Sequence, residues 1–280
     1  MAIRLAQNSY GKSRVRVFRV ARHQDRHDVQ ELDVAVAFEG DFESVHTLGD
    51  NSKVLPTDTM KNTVYALARK HPIGTIEDFC LQLTAHFLQR NPQLWQVQVD
   101  ATETLWARLA HGDKLQASAF THAGEEKRIA QVRATRGETV VHSGIANLFV
   151  LKTADSAFEG FLRDEYTTLK QDRNRILATL IHADWRYAPG VGNFEALWNG
   201  VRKSMIEAFV QHHSLSLQHT LYAMGQAVLG DFESILEIRL SLPNKHFNLV
   251  DLAPLGMDNP GEVFVPTEEP HGLIEATLTR

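Results

Sequence analysis

Three short segments of this 280-residue chain join reactive side chains to constrained backbone. Lys12 follows Tyr10-Gly11 just before the first strand-like run, placing an amine beside a glycine whose backbone is free to approach its neighbours. Thr57-Asp58 follows Pro56 where a helical rhythm begins. There a hydroxyl meets the unsatisfied N–H groups of a helix start, an arrangement suited to an anion. Pro243-Asn244-Lys245-His246 lies between two strand-like segments. Each has an ordinary structural explanation as well: an exposed lysine, a helix cap and a turn. Residue chemistry alone does not choose between the two.

Other patterns argue against particular chemistries. Fourteen histidines include His23 and His27 at i, i+4 and the adjacent pair His212-His213. The chain has no HExxH, no closely spaced His-x-His and a single cysteine, Cys80, so no metal site is expected. Gly190-Val191-Gly192-Asn193-Phe194-Glu195 half-matches a dinucleotide fingerprint but lacks the third glycine and the β-α-β setting, and reads as a turn before a helix. Arginines 14, 16, 19, 22 and 26 form a basic run interleaved with Val and Phe. With 29 basic against 34 acidic residues and a net charge of −5, that run reads as a polar strand face rather than a nucleic-acid footprint. Apolar stretches such as Ile145 to Leu151 fall far short of the ~20 residues needed to span a bilayer. The first residues carry no secretory pattern, the chain ends Leu278-Thr279-Arg280 rather than in a peroxisomal address, and the expected location is cytoplasmic.

The elements that must position these groups follow from hydrophobic period. Val15, Val17 and Val34, Val36, Phe38 alternate as in an antiparallel strand pair, with Asp28 to Gln30 as the expected connection. The period changes to 3.6 for Met60, Val64, Leu67 and Ala68 until Pro72, and again for Ile76, Phe79, Cys80, Leu83 and Phe87 until Asn91-Pro92. Alternation returns at Trp95, Val97, Val99, Ala101 and from Lys127 to Val141. The second half repeats the order. Strand-like Leu148 to Thr153 and Arg175 to Arg186 precede helical Phe194 to His212 and Ser216 to Gly230. Strand-like Ile235 to Leu242, His246 to Leu252 and Leu273 to Leu278 follow. Both halves therefore read β-β-α-α-β-β, residues 1–138 and 139–280, an α+β arrangement of antiparallel sheets with helices on one face. The other sheet face stays apolar in places, which favours self-association.

Four ordered blocks give a resemblance. Leu148 to Arg175, LFVLKTADSAFEGFLRDEYTTLKQDRNR, together with YGKSRVRV, LPTDTMKNTVYALA and SLPNKHFNLVDL, is similar to the urate oxidase (uricase) family over essentially the whole chain. Ala154 stands where many members have threonine, and Leu217 where valine or isoleucine is common.

The resemblance implies the tunnelling fold, two β-β-α-α-β-β units per chain assembled as a homotetramer around a barrel. It also implies oxidation of urate by O2 and water to 5-hydroxyisourate and hydrogen peroxide, with neither metal nor organic cofactor. By the same resemblance Phe158 stacks on the purine, Arg175 clamps one edge, and Gln218 with the Leu217 backbone N–H faces the opposite edge. Thr57 and Asp58 come from a neighbouring subunit. Lys12 and Thr57 form the catalytic dyad, His246 passes the proton on, and Asn244 with Thr57 holds dioxygen. The alternatives are a metal-dependent pterin enzyme of the same fold and a purine-binding scaffold without catalysis.

Overall fold

The computed structural model describes residues 3–267 and 269–280. Its chain divides into two compact units, one running to Gly144 and including Arg186–Glu195, the other formed by Ile145–Trp185 and Ala196–Arg280.

In the first unit, β1 (Tyr10–Arg22), β2 (His27–Gly40), β3 (Leu94–His111) and β4 (Lys114–Ala134) lie side by side in chain order, all antiparallel. Three helices separate β2 from β3: α1 (Glu43–Leu48), α2 (Thr57–Lys70) and α3 (Ile76–Arg90). α2 packs on β1 and α3 on β3 and β4, so the alternating apolar residues of the strands meet the apolar stripes of the helices. Val15, Val17, Val34, Val36, Phe38, Met60, Val64, Phe79, Cys80 and Phe87 are buried in this core. α3 starts on a capping box, in which the Thr75 hydroxyl accepts from the Asp78 N–H and the Asp78 carboxylate accepts from the Thr75 N–H.

Two irregularities depart from plain alternation. Lys12 opposes Val36 and Val15 opposes Val34, so Ser13 and Arg14 together face one residue of β2. This bulge, with Arg14 at φ 59°, resets the parity of the strand. Tyr10, Lys12, Val15 and Val17 consequently oppose Phe38, Val36, Val34 and Leu32 and share the helix-covered face, although their numbers change from even to odd. A second shift at Gly40 has the same effect on β3. Leu94 is buried while Trp95, expected in line with Val97 and Val99, is turned out and 64% exposed. Asp28 to Gln30 belong to β2, paired with Ala21, Val20 and Arg19; the reversal is made at His23–Arg26, where the His23 N–H donates to the Arg26 carbonyl. Lys127 to Val141 likewise is not one strand: the Thr135 and Glu138 backbones close a turn inside it.

β5 (Thr139–Lys152), β6 (Leu177–Tyr187) and β7 (Ile235–Leu249) are neighbours, with α4 (Phe194–Gln211) and α5 (Leu217–Asp231) between β6 and β7 in sequence; apart from the start of β5, the end of β6 and the first two residues of α4, they belong to the second unit. α5 packs on β7 and on β9 (Leu273–Thr279). β7 continues through Pro243 rather than turning there. Its partner changes instead. Glu237 to Pro243 pair with β9, and His246 to Leu249 pair with β8 (Phe264–Thr267).

Candidate active site

The second unit holds a cleft of about 1040 Å³ lined among others by Phe158, Lys170, Arg175, Asn244 and His246. Its walls come from two places. One is the excursion between β5 and β6. Phe158 and Asp172 exchange backbone hydrogen bonds at 2.7 and 3.1 Å, and the Arg175 N–H donates to the Ser156 carbonyl at 2.8 Å. This short antiparallel closure brings residues seventeen apart in sequence together, with the Arg175 guanidinium carbon 5.2 Å from the Phe158 ring centre. The other wall is the stretch of β7 where it passes from β9 to β8. The Asn244 N–H donates to the Gly272 carbonyl, and Asn244, Lys245 and His246 line the cleft.

Arg175 is held in an unusual state for a cation. Its Nε is buried and finds no protein acceptor. Burial pushes its pKa down, with only the Asp172 charge acting in the other direction. A guanidinium desolvated without a carboxylate partner, beside an aromatic ring, suits a flat anionic ligand that returns the missing hydrogen bonds.

Leu217 and Gln218 stand nearby in the chain's hydrogen-bond network but outside the residues lining that cleft. They are the first two residues of α5, which starts at Ser216, whose hydroxyl accepts the His219 N–H at 3.1 Å. Their own N–H groups have no intrahelical acceptor and lie at the positive end of the helix. The Leu217 side chain is buried, whereas Gln218 is exposed. Ser214 ties this helix start to the Phe158 segment: its carbonyl accepts from the Ala157 N–H and its N–H donates to the Asp155 carbonyl. Its hydroxyl donates to the Ser216 carbonyl and accepts from Thr220 at 2.7 Å. The backbone bonds of Ser214 thus join the start of α5 to the segment that carries Phe158, and its hydroxyl braces that helix start from within.

Lys12, Thr57 and Asp58 form a second group, in the first unit. Gly11 lets β1 approach β2 so closely that a Cβ there would lie 2.0 Å from the Val36 carbonyl oxygen. α2 opens at Pro56 with no side-chain cap, leaving the first N–H groups of the helix unclaimed within it. The Asp58 carboxyl lies below its usual range, first through its hydrogen bond with Lys61 and that residue's charge, with smaller help from Asn62 and from Lys12. Lys12 is thus close enough for its charge to reach the start of α2.

Reading by residue type passed over two supporting side chains. Phe161 stacks on Phe158 with ring centres 5.0 Å apart and planes within 12°. Its signal is the spacing of two aromatics three apart across Gly160, which adopts φ 71°. The other is Tyr10, whose hydroxyl both accepts from the Leu55 N–H (3.0 Å) and donates to the Leu55 carbonyl (3.2 Å). Among the described residues no group of three or more His, Cys, Asp or Glu side chains is arranged to hold a metal ion.

Antiparallel strands with helices packed against them make the chain an α+β protein of the tunnelling fold. The uricase family model matches residues 8–133 and 141–275. The chain is 45% identical to a uricase from Arthrobacter globiformis over 276 residues, which is 99% of this chain and 90% of that protein. It is 38% identical to a uricase from Dictyostelium discoideum over 279 residues, 99% of this chain and 97% of the other. The crystal structure of the Arthrobacter globiformis uricase superposes with a TM-score of 0.95 at 44% identity, covering 100% of this chain and 96% of that one. The chain belongs to the uricase family.

Proposed function

We propose that the chain oxidises urate with O2 and water to 5-hydroxyisourate and hydrogen peroxide. Urate gives two electrons to dioxygen, which leaves as peroxide after taking two protons, and the oxygen of water enters the purine as a hydroxyl. The supporting observation is the Arg175–Phe158 pair, a desolvated guanidinium lacking an acceptor against an aromatic ring in a cleft large enough for a purine.

On this reading Phe158 stacks on the purine plane. Arg175 binds one edge through its planar fork, and Gln218 with the Leu217 N–H binds the other. Lys12 accepts a proton through the Thr57 hydroxyl, which requires its amine to be neutral at the moment of transfer. His246 relays the proton, and Asn244 with Thr57 holds dioxygen and then peroxide or water over the ring. Asp58 completes the substrate contacts. An electron-rich urate anion reduces O2 directly, so the protein supplies orientation and proton control rather than a metal or an organic cofactor. Thr57 and Asp58 reach the substrate from a neighbouring subunit of a homotetramer, and a lone chain lacks a complete site. The test is purified protein mixed with urate in air. Loss of the urate ultraviolet band with matching peroxide release, unaffected by strong chelators, is the expected result; urate left intact would refute the assignment.

A further inference from the structure

The peptide groups on either side of Leu55 run directly into Pro56, Thr57 and Asp58; the Val54 and Leu55 side chains rest on the core, but the Leu55 backbone itself has a single partner. α2 has no side-chain cap, Pro56 and Asp58 are exposed, and the Leu55 N–H and carbonyl lie outside any ladder. Both are satisfied by one atom. The Tyr10 hydroxyl accepts the first and donates to the second, as a neighbouring strand would.

Tyr10 is itself packed against the core. Its ring packs edge-on against Phe38 at 5.8 Å and Phe42 at 4.8 Å, both of them buried. Gly11 then fixes β1 against β2, and Tyr10 and Lys12, two residues apart in a regularly paired stretch, share one face of the sheet. A single rigid lever therefore carries the Lys12 amine two residues beyond the group that anchors the start of α2. Partial burial raises the Tyr10 phenol above its ordinary pKa, its hydrogen bond to the Leu55 backbone opposing this, so it stays protonated and able to donate.

We infer that Tyr10 is a positioning residue for proton transfer, its hydroxyl setting the Thr57 hydroxyl relative to the Lys12 amine by gripping Leu55. This rests on the reading of Lys12 and Thr57 as the pair that moves the proton. Tyr10 touches neither substrate nor oxygen and acts only through the backbone it holds.

The experiment compares Tyr10→Phe, Pro56→Ala and Lys12→Met in the assembled enzyme. Tyr10→Phe keeps the aromatic packing and removes only the grip. Its kcat is expected to fall about 10- to 100-fold, the loss that a misplacement near 1 Å produces, with KM for urate and the Kd for xanthine within about twofold of the parent. The pH at which kcat is half-maximal should move as well, since the pair exchanging the proton is no longer held at one distance. Pro56→Ala leaves Tyr10 intact but loosens the same entry, and should give a smaller loss of kcat with the same unchanged KM. Lower thermal stability with kcat and its pH profile unchanged in Tyr10→Phe would overturn the inference. If Tyr10→Phe does not fold, unchanged kcat in Pro56→Ala overturns it instead. Lys12→Met separates the levels: wild-type turnover there refutes the underlying reading, whereas its loss beside a normal Tyr10→Phe refutes only the role of Tyr10.

Discussion

Replacing Arg175 by alanine separates what this side chain does for the fold from what it does for the ligand. In the free protein the guanidinium is partly withdrawn from water, its Nε has no acceptor, and burial lowers its pKa with only Asp172 opposing. The cost of withdrawing this cation from water offsets what its contact with the Phe158 ring contributes to folding, so the melting temperature of Arg175→Ala should change little. Binding, by contrast, should respond. Hydrogen bonds to a charged group are worth about 1.5–3 kcal/mol each, and truncating one partner of a buried charge pair costs about 2–5 kcal/mol. That predicts a Kd for xanthine, used as a probe because it is a purine lacking the C8 oxygen of urate, weaker by roughly 30- to 5000-fold. Arg175→Lys keeps the charge but not the planar fork and should fall between. Calorimetric titration beside a thermal melt reads both quantities. An unchanged Kd in the alanine variant, or a weakened Kd accompanied by a large drop in melting temperature, would refute the argument.

Other substitutions test separate parts of the structure. Lys12→Met should lose most turnover while xanthine still binds, measured by oxygen uptake and titration; turnover near the parent level would exclude it as the base. Glu103, on β3 among Arg128, Glu195, Glu77 and Gln30, is pushed up from its ordinary value near 4.5 to about 7, chiefly by burial. Between those two pH values the folded chain holds a proton that the unfolded chain releases, so this group's contribution to stability falls as pH rises through that window. Glu103→Gln should therefore gain relative to the parent at pH 8 but not at pH 4, as read from urea midpoints. Thr75→Ala removes the hydroxyl of the α3 capping box and should cost about 1 kcal/mol, a drop of roughly 2–4 °C in melting temperature, with activity per folded molecule unchanged.

Much of the fold was legible because burial on one side of an element writes a period into the chain. Met60, Val64 and Ala68, or Val34, Val36 and Phe38, are buried where their spacing says they should be. What the period cannot carry is a change of phase. The bulge after Lys12 and the shift at Gly40 each alter parity over one or two residues, moving Lys12 onto the helix side and Trp95 off it. The outer reaches of β3 and β4, from Thr102 to Glu126, contain no buried residue and so leave no pattern to read. Residue types singled out the segments of Lys12, Thr57–Asp58 and Asn244–His246 without choosing a functional role over a structural one. The juxtaposition of Phe158 and Arg175 depends on backbone bonds between Ser156, Phe158, Asp172 and Arg175, which any residues can make. Side-chain identity could not announce it, and only likeness to known sequences did.

The lone sulfhydryl offers an experimental handle. Cys80 lies fully enclosed on α3 against the sheet, and burial raises its thiol far above the range in which it reacts. A maleimide or disulfide reagent therefore attacks the native molecule only when that helix lifts away, and the rate of modification becomes a clock for breathing of the first unit. The same inertness leaves the exterior blank for chemistry: a cysteine engineered anywhere on the surface would be the single point of attachment for a dye, a polymer or a solid support.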